Sequence, residues 1–292
     1  MTISIQDALE RVIEAQSRRA PLTPLSETHG DFALEHAYAI QDAFRAELER
    51  RGQRPIGWKL GATSPQGQAA MGVKEPACGF LMPRRYASGD RVSASEFVNL
   101  GVEAEVAFRM RDKLAGPGAT ADTARLAVDG AAAALELPDF ILSGKPRAAD
   151  FIACSAIARA IVLGSRLTPL SEFEVSREDV TYEHNGEVVG TYTASEVMGN
   201  PPECARLARQ PSGNPRSFAP ARGHRHVRRH LEDAPAEGWR YDPGELCAPG
   251  LGRHHGRRVT NQASRRSPGI RVFARTGRSA AALGNPRGSC SS

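Results

Sequence analysis

The stretch 98–108 constrains this chain more than any other. Val98, Leu100, Val102, Ala104, Val106 and Phe108 alternate with Asn99, Gly101, Glu103, Glu105 and Ala107, so one face is wholly apolar and the other carries two carboxylates. A period of two marks a strand buried on one side, and such a strand needs a sheet around it. Ahead of it the pattern is helical. Ser4 and Asp7 open a helix carrying Ile5, Leu9, Val12 and Ile13, and a second is expected over 33–51, where Leu34, Ala37, Ile40, Phe44 and Leu48 form a stripe ended by Gly52. Residues 56–61 suit a short strand. An Ala-rich helix is expected through 119–135, then strands over 157–164 and 179–192, the latter turning at Asn185-Gly186. Helices first and strands later predict an α+β domain.

Composition divides the chain in two. Of its 292 residues, 1–200 hold 21 Lys+Arg against 27 Asp+Glu, whereas 201–292 hold 17 Arg, no Lys and six acids, with half of the 20 prolines. No run reaches the 18 or so apolar residues of a membrane span, and the N-terminus lacks the basic-then-apolar order of a secretory signal, so a cytoplasmic location is expected. The five cysteines are scattered, without a C-x-x-C pair, and read as reduced thiols; Cys154 reads as buried.

Three places could carry chemistry. Glu103 and Glu105 sit two apart on a strand, hence on one side and roughly 6.6 Å from each other; two anions so close repel unless a cation lies between them. A half-exposed strand with two solvated glutamates fits the same pattern. Glu136 interrupts the apolar run Ala131–Leu137. A lone carboxylate there needs a partner, or else ends a helix facing water. Joined to the other two, it would complete an all-oxygen site for Mg²⁺ or Mn²⁺. Lys59, flanked by Trp58 and Leu60, would be desolvated toward a useful acid/base pKa, although a strand-edge lysine also guards against aggregation.

At these residues the chain resembles the 2-keto-4-pentenoate hydratase family, which includes 4-oxalocrotonate decarboxylases, in the fumarylacetoacetate hydrolase superfamily. The resemblance covers residues 1–200. Gly57-Trp58-Lys59-Leu60-Gly61-Ala62-Thr63-Ser64 is similar to the family's G-x-K-x-G-x-T segment, Met71-Gly72-Val73 with Gly79-Phe80-Leu81 to its M-G-V…G-x-L, and Val102–Ala107 to its E-x-E strand, with Glu136 following at the spacing of a third metal carboxylate. The resemblance implies a mixed, rolled β-sheet or β-sandwich after the N-terminal helices. It implies Glu103, Glu105 and Glu136 as ligands of Mg²⁺ or Mn²⁺, Lys59 as the catalytic proton carrier, and Gly61, Thr63, Gly79, Phe80 and Leu81 around a short 2-oxo or 2-hydroxy dienoic acid. The reaction would be hydration of that acid in aromatic meta-cleavage degradation, with decarboxylation as the alternative. Departures are Phe140 and Ile141 after Asp139, where the family often has serine and arginine, and Ala153-Cys154-Ser155 in place of an Asp-Asn pair; Lys145 is a candidate substitute for the missing cation. Neither a membrane nor a specific nucleic acid is expected as partner, and self-assembly into a homo-oligomer stays open.

The resemblance ends at Met198-Gly199-Asn200-Pro201. The chain therefore divides into an N-terminal helical region (1–55), a β-rich catalytic region (56–200) and an Arg/Pro/Gly-rich tail (201–292). Taken literally, the tail is a basic disordered segment, and the rival reading is a basic binding protein. Read from the second base of each codon, however, Pro202–Gln210 allows Leu-Asn-Ala-Leu-Ala-Trp-Leu-Ala-Asn, an amphipathic helix. His224–Pro243 allows Ile-Val-Met-Ser-Gly-Gly-Ile-Trp-Lys-Thr-Leu-Pro-Leu-Lys-Ala-Gly-Asp-Thr-Ile-Arg, strand, turn and strand. The codons of Val259 and Thr260 allow a stop. One extra base in the cytosine run of Pro201-Pro202 would thus put the tail out of frame and leave the product as read inactive.

Overall fold

The computed structural model describes residues 2–112, 114, 120–172, 174–184, 187–196, 218–222 and 239–240. In chain order the elements are α1 (Ile5–Arg18), α2 (Leu25–His29), α3 (Leu34–Arg50), β1 (Gly57–Gly61), α4 (Pro65–Met71), β2 (Ala77–Leu81), β3 (Arg85–Ala87) and β4 (Arg91–Val92). There follow β5 (Glu103–Met110), α5 (Ala121–Ala127), β6 (Val128–Leu137), α6 (Ala148–Ala153), β7 (Ala160–Leu163), β8 (Asp179–His184), β9 (Glu187–Thr193), β10 (Phe218–Arg222) and β11 (Trp239–Arg240). This is an α+β arrangement in which α1, α2 and α3 lead and α4, α5 and α6 are set between strands.

Local chemistry sets the helices. The Ser4 hydroxyl accepts from Asp7 N at 3.0 Å and so caps α1, a contact worth about 1 kcal/mol. On α3, Ala37, Ile40, Phe44 and Leu48 are buried, and the Phe44 ring packs 5.3 Å from that of Phe80 on β2. Each such side chain contributes about 1.5–3 kcal/mol by leaving water. Gln41, on the same face, donates to the carbonyls of Cys78 and Ile152, tying α3 to β2 and α6.

Seven strands form one mixed sheet in the order β2-β1-β10-β5-β6-β7-β3. Its two edge strands, β2 and β3, are separated in the chain only by residues 82–84. Seven strands laid flat would span about 29 Å, while the link from Leu81 to Arg85 reaches at most about 14 Å. The sheet therefore curls until its edges approach. Leu81 from β2 meets Ala107, Ala134 and Ile161 from β5, β6 and β7, which identifies the concave face. Trp58, Leu60, Phe80 and Phe108 occupy the convex face and pack against Val12, Phe44 and Leu48 of the helices.

Several expectations change. The Ala-rich segment is not one helix: α5 ends at Ala127 and Val128–Leu137 is strand β6, paired on both sides by β5 and β7. Alanine favours helix intrinsically, but here its small side chain fits a strand enclosed by two others, and a Cβ at Gly130 would stand 2.8 Å from the Thr168 carbonyl oxygen. Strand β5 starts at Glu103 rather than Val98, although the ladder continues outward through the bridge Leu100↔Asp139. Lys59 lies in β1, inside the sheet between β2 and β10, so it guards no edge. Strand β7 begins at Ala160, because Ser155, Ala156 and Ile157 take left-handed φ values of 55°, 49° and 57°. The hairpin forms as β8 and β9; its turn residues Asn185 and Gly186 lie outside the described residues.

Within the region read as a tail, two strands are described. Phe218–Arg222 lies between β1 and β5, and Trp239–Arg240 pairs with β4; residues 197–217, 223–238 and 241–292 lie outside the described residues. Strand β10 occupies the middle of the sheet with Pro220 opposite Ala107. Proline has no N–H to give a ladder and is poorly suited to an interior strand.

Deleting one base from the cytosine run of Pro201-Pro202 is expected to give a product whose melting temperature exceeds that of the 292-residue chain by several degrees, since about 1 kcal/mol is worth roughly 2–4 °C at this size. Equal melting temperatures in matched buffers would refute the displaced frame. Cys154 is buried, and burial followed by the Asp150 charge pushes its thiol up to about 12. Native protein treated with iodoacetamide near about pH 8 should stay unmodified at Cys154, because the thiolate is the reactive form; peptide mapping reads the outcome.

Candidate active site

Antiparallel pairing brings the chemistry together. Glu103 on β5 stands opposite Glu136 on β6, and Glu105 opposite Ala134. Residues that face each other across a ladder, and those two apart along a strand, share a side, so all three carboxylates lie on the concave face. Their nearest oxygens are within 4.8 Å of one another. Lys59 reaches the same point from β1, its Nζ 3.1 Å from Glu136 Oε1. Strands β1 and β6 are three places apart in the sheet, about 14 Å if it were flat, beyond a lysine's reach. Curling makes the contact.

Lys59 is 1% exposed, Glu136 0% and Glu105 2%, while Glu103 is half-buried. The site therefore opens on the Glu103 side. Beneath it, Leu81, Ala107, Ala134, Ala158 and Ile161 form a packed apolar floor. Three carboxylates this close repel one another in a low-dielectric enclosure, and a cation held between them relieves that repulsion. The donor set is all oxygen, clustered and mostly shielded, and it fits a hard divalent ion. Glu103, Glu105 and Glu136 could hold such an ion. Strand β10 places Arg222 opposite Glu105 in register.

The remaining sequence candidates fall in two groups. Gly79 stands opposite Lys59, and Gly61, at the end of β1, opposite Ala77. A Cβ on Gly79 would collide with the Ser155 carbonyl, so glycine is required there. Thr63 is buried just past the left-handed Ala62. These positions border the lysine. The Phe80 side chain, by contrast, points to the convex face with Phe44, and Leu81 belongs to the floor. Lys145 is exposed, its backbone N–H donating to Glu27 at 2.7 Å, on a loop beside α2.

Two features had no sequence signal. The buried Ser155 hydroxyl donates to the Phe80 carbonyl and accepts from its N–H, at 2.9 and 2.8 Å, holding β2 against a left-handed turn. Asp139, three residues after Glu136, accepts from the N–H groups of Val98 and Asn99 and so anchors the segment leading into β5. Acceptors of this kind become recognisable only once the backbone donors are in place.

No protein-family model matches the chain. It is 30% identical over 198 residues to the 2-hydroxyhexa-2,4-dienoate hydratase of Comamonas testosteroni, covering 66% of this chain and 75% of that one. Identity to the 2-keto-4-pentenoate hydratase of Burkholderia vietnamiensis is 32% over 202 residues, covering 68% and 76%; with a 4-oxalocrotonate decarboxylase of Pseudomonas putida it is 28%, covering 66% and 74%. The structure superposes on the 4-oxalocrotonate decarboxylase from Pseudomonas putida G7 complexed with magnesium and adipate, with a TM-score of 0.70 and 26% identity, covering 75% of this chain and 87% of that one. No helix among the described residues is long and apolar enough to cross a membrane. With a three-carboxylate centre on its concave face and relatives of this kind, the chain belongs to the family of lyases that comprises the 2-keto-4-pentenoate hydratases and the 4-oxalocrotonate decarboxylases.

Proposed function

We propose that the chain is a cytoplasmic hydratase of a 2-hydroxy-2,4-dienoate or 2-keto-4-pentenoate in aromatic meta-cleavage degradation, and that its curled sheet is the rolled β-structure of the fumarylacetoacetate hydrolase type. The observation that carries this reading is the Lys59 Nζ–Glu136 Oε1 contact of 3.1 Å inside the carboxylate cluster. Glu103, Glu105 and Glu136 would hold Mg²⁺ or Mn²⁺, which when bound supplies Lewis acidity to a substrate's carboxylate and 2-oxygen. All four side chains come from one chain.

What the protein's own groups do follows from their placement. Lys59 is positioned to hold a proton at Nζ and pass it between the substrate's 2-oxygen and its carbon chain. Glu136 keeps the ammonium aimed into the cluster. Leu81, Ala107, Ala134 and Ile161 exclude water from below, which strengthens each electrostatic contact above them. Gly79 and Gly61 leave backbone, not side chain, beside the lysine. A second reading, decarboxylation, is favoured by the superposition on a 4-oxalocrotonate decarboxylase. There the electron pair of the broken C–C bond would run along the conjugated chain to the 2-oxygen as CO₂ leaves, and Lys59 would give its proton to that oxygen.

Mg²⁺ at about 100 times its Kd should stabilise the chain by about 2.7 kcal/mol, and EDTA should reverse the rise in melting temperature. Glu105→Gln should abolish that rise while leaving the metal-free melting temperature equal or higher, because one of three repelling charges is gone. A full Mg²⁺ response in this variant would contradict the ligand assignment. Wild-type protein with Mg²⁺ is expected to convert 2-hydroxypenta-2,4-dienoate to 4-hydroxy-2-oxopentanoate, and Lys59→Gln to lose about 100-fold or more in kcat. CO₂ release from 4-oxalocrotonate without hydration of the dienoate would establish the second reading instead.

A further inference from the structure

Strand β2 is an edge of the sheet, yet outward backbone groups in its middle are paired. The Cys78 N–H donates to the Tyr38 hydroxyl at 3.1 Å, and the Cys78 carbonyl accepts from Gln41 at 2.9 Å. Two residues on, the single Ser155 hydroxyl takes both the N–H and the carbonyl of Phe80. Tyr38 and Gln41 lie on α3, whereas Ser155 lies in the segment that runs into β7. That hydroxyl therefore does for β2 what a further strand would do.

Its position closes a ring through the site. Strand β7 pairs with β6, which carries Glu136, and five register pairs tie β2 to β1, which carries Lys59. On its other side, β1 meets β10 through Gly57↔Phe218, at the start of β1. The β1–β2 hairpin is thus one unit, and the seam at Ser155 sets how close it stands to β6. The turn has little freedom to give. Ser155, Ala156 and Ile157 are all left-handed, a conformation that costs non-glycine residues energy and persists only where the surroundings enforce it. The Ser155 carbonyl accepts from Ala158 N at 3.1 Å and packs against Gly79 where a Cβ would stand. Gly79 is opposite Lys59 in the ladder and shares its side, so the turn borders the lysine as well as the edge.

We infer that Ser155 is a positioning residue of the site: by pinning β2 to the turn before β7, its hydroxyl holds the Lys59 ammonium against Glu136. The inference rests on the reading of Lys59 as the proton carrier. The three carboxylates need no such pin, because β5 and β6 pair directly with each other. Losing the hydroxyl displaces the lysine and leaves the metal ligands in place. A shift of about 1 Å at a reacting group is enough to cost on the order of 100-fold in rate.

The test compares Ser155→Ala with Val180→Ala, a buried truncation in the separate hairpin β8–β9, each in the full chain. NMR of protein labelled at its four lysines reads Lys59 without substrate, its signal being the one missing from Lys59→Gln. In the wild type the two methylene protons beside Nζ are expected to be distinct, as in a fixed side chain. In Ser155→Ala they should merge, kcat should fall about tenfold or more, and Mg²⁺ should bind as tightly as before or more tightly. Val180→Ala should change none of these. A folded Ser155→Ala protein with the wild-type Lys59 signal overturns the inference, as do equal losses in Val180→Ala or loss of Mg²⁺ binding together with kcat. If Ser155→Ala does not fold, the wild type decides: its Phe80 amide must exchange with solvent as slowly as that of Phe108 inside the sheet, and rapid exchange overturns the pin. No turnover by the wild type, with the Lys59 signal behaving as stated, overturns the proton-carrier reading and leaves the placement of Lys59 by Ser155 standing.

Discussion

A single ion pair depends on, and reports, the shape of the whole sheet. Lys59 and Glu136 are on strands three places apart, yet their charged atoms are 3.1 Å from each other. In a flat sheet that contact is out of reach. The curl that permits it is imposed by connectivity, since β2 and β3 are the two edges of the sheet and almost one continuous stretch of chain. Every other feature of the site inherits this geometry. The concave face is narrow enough for Leu81 to meet Ala134 and Ile161 across it.

Enclosure has an electrostatic consequence. Three carboxylates crowded together in water would be weakly coupled, whereas above an apolar floor they repel strongly. Lys59 offsets part of that repulsion through Glu136, and of the three carboxylates Glu103 alone is half-buried while the other two are buried. Small side chains dominate the floor for the same geometric reason: Ala107, Ala134 and Ala158 fit where strands from opposite parts of the sheet converge.

The three carboxylates that the fold gathers were legible because each carries a local signal. Glu103 and Glu105 interrupt nothing on a strand with a polar face, but they share that face by periodicity alone, and Glu136 stands out against six neighbouring alanines and leucines. The element around Glu136 was not legible. Its alanines favour helix, and only pairing with β5 and β7 makes strand of them. Phe80 illustrates the converse limit: a motif neighbour of Gly79 in sequence, it points to the other face and serves the core.

By itself the sequence determined the leading helices, the strands that carry Lys59 and the Glu103/Glu105 pair, the identity of the four charged residues, and the break in character after Asn200, because periodicity, charge and composition are local properties of a chain. Tertiary structure alone decided that Lys59 meets Glu136, that Ser155 locks β2 through a left-handed turn, and that Phe140 lies over Gly101. Those are encounters between segments tens of residues apart. Their geometry is set by how a curled sheet folds back on itself, which no local pattern records.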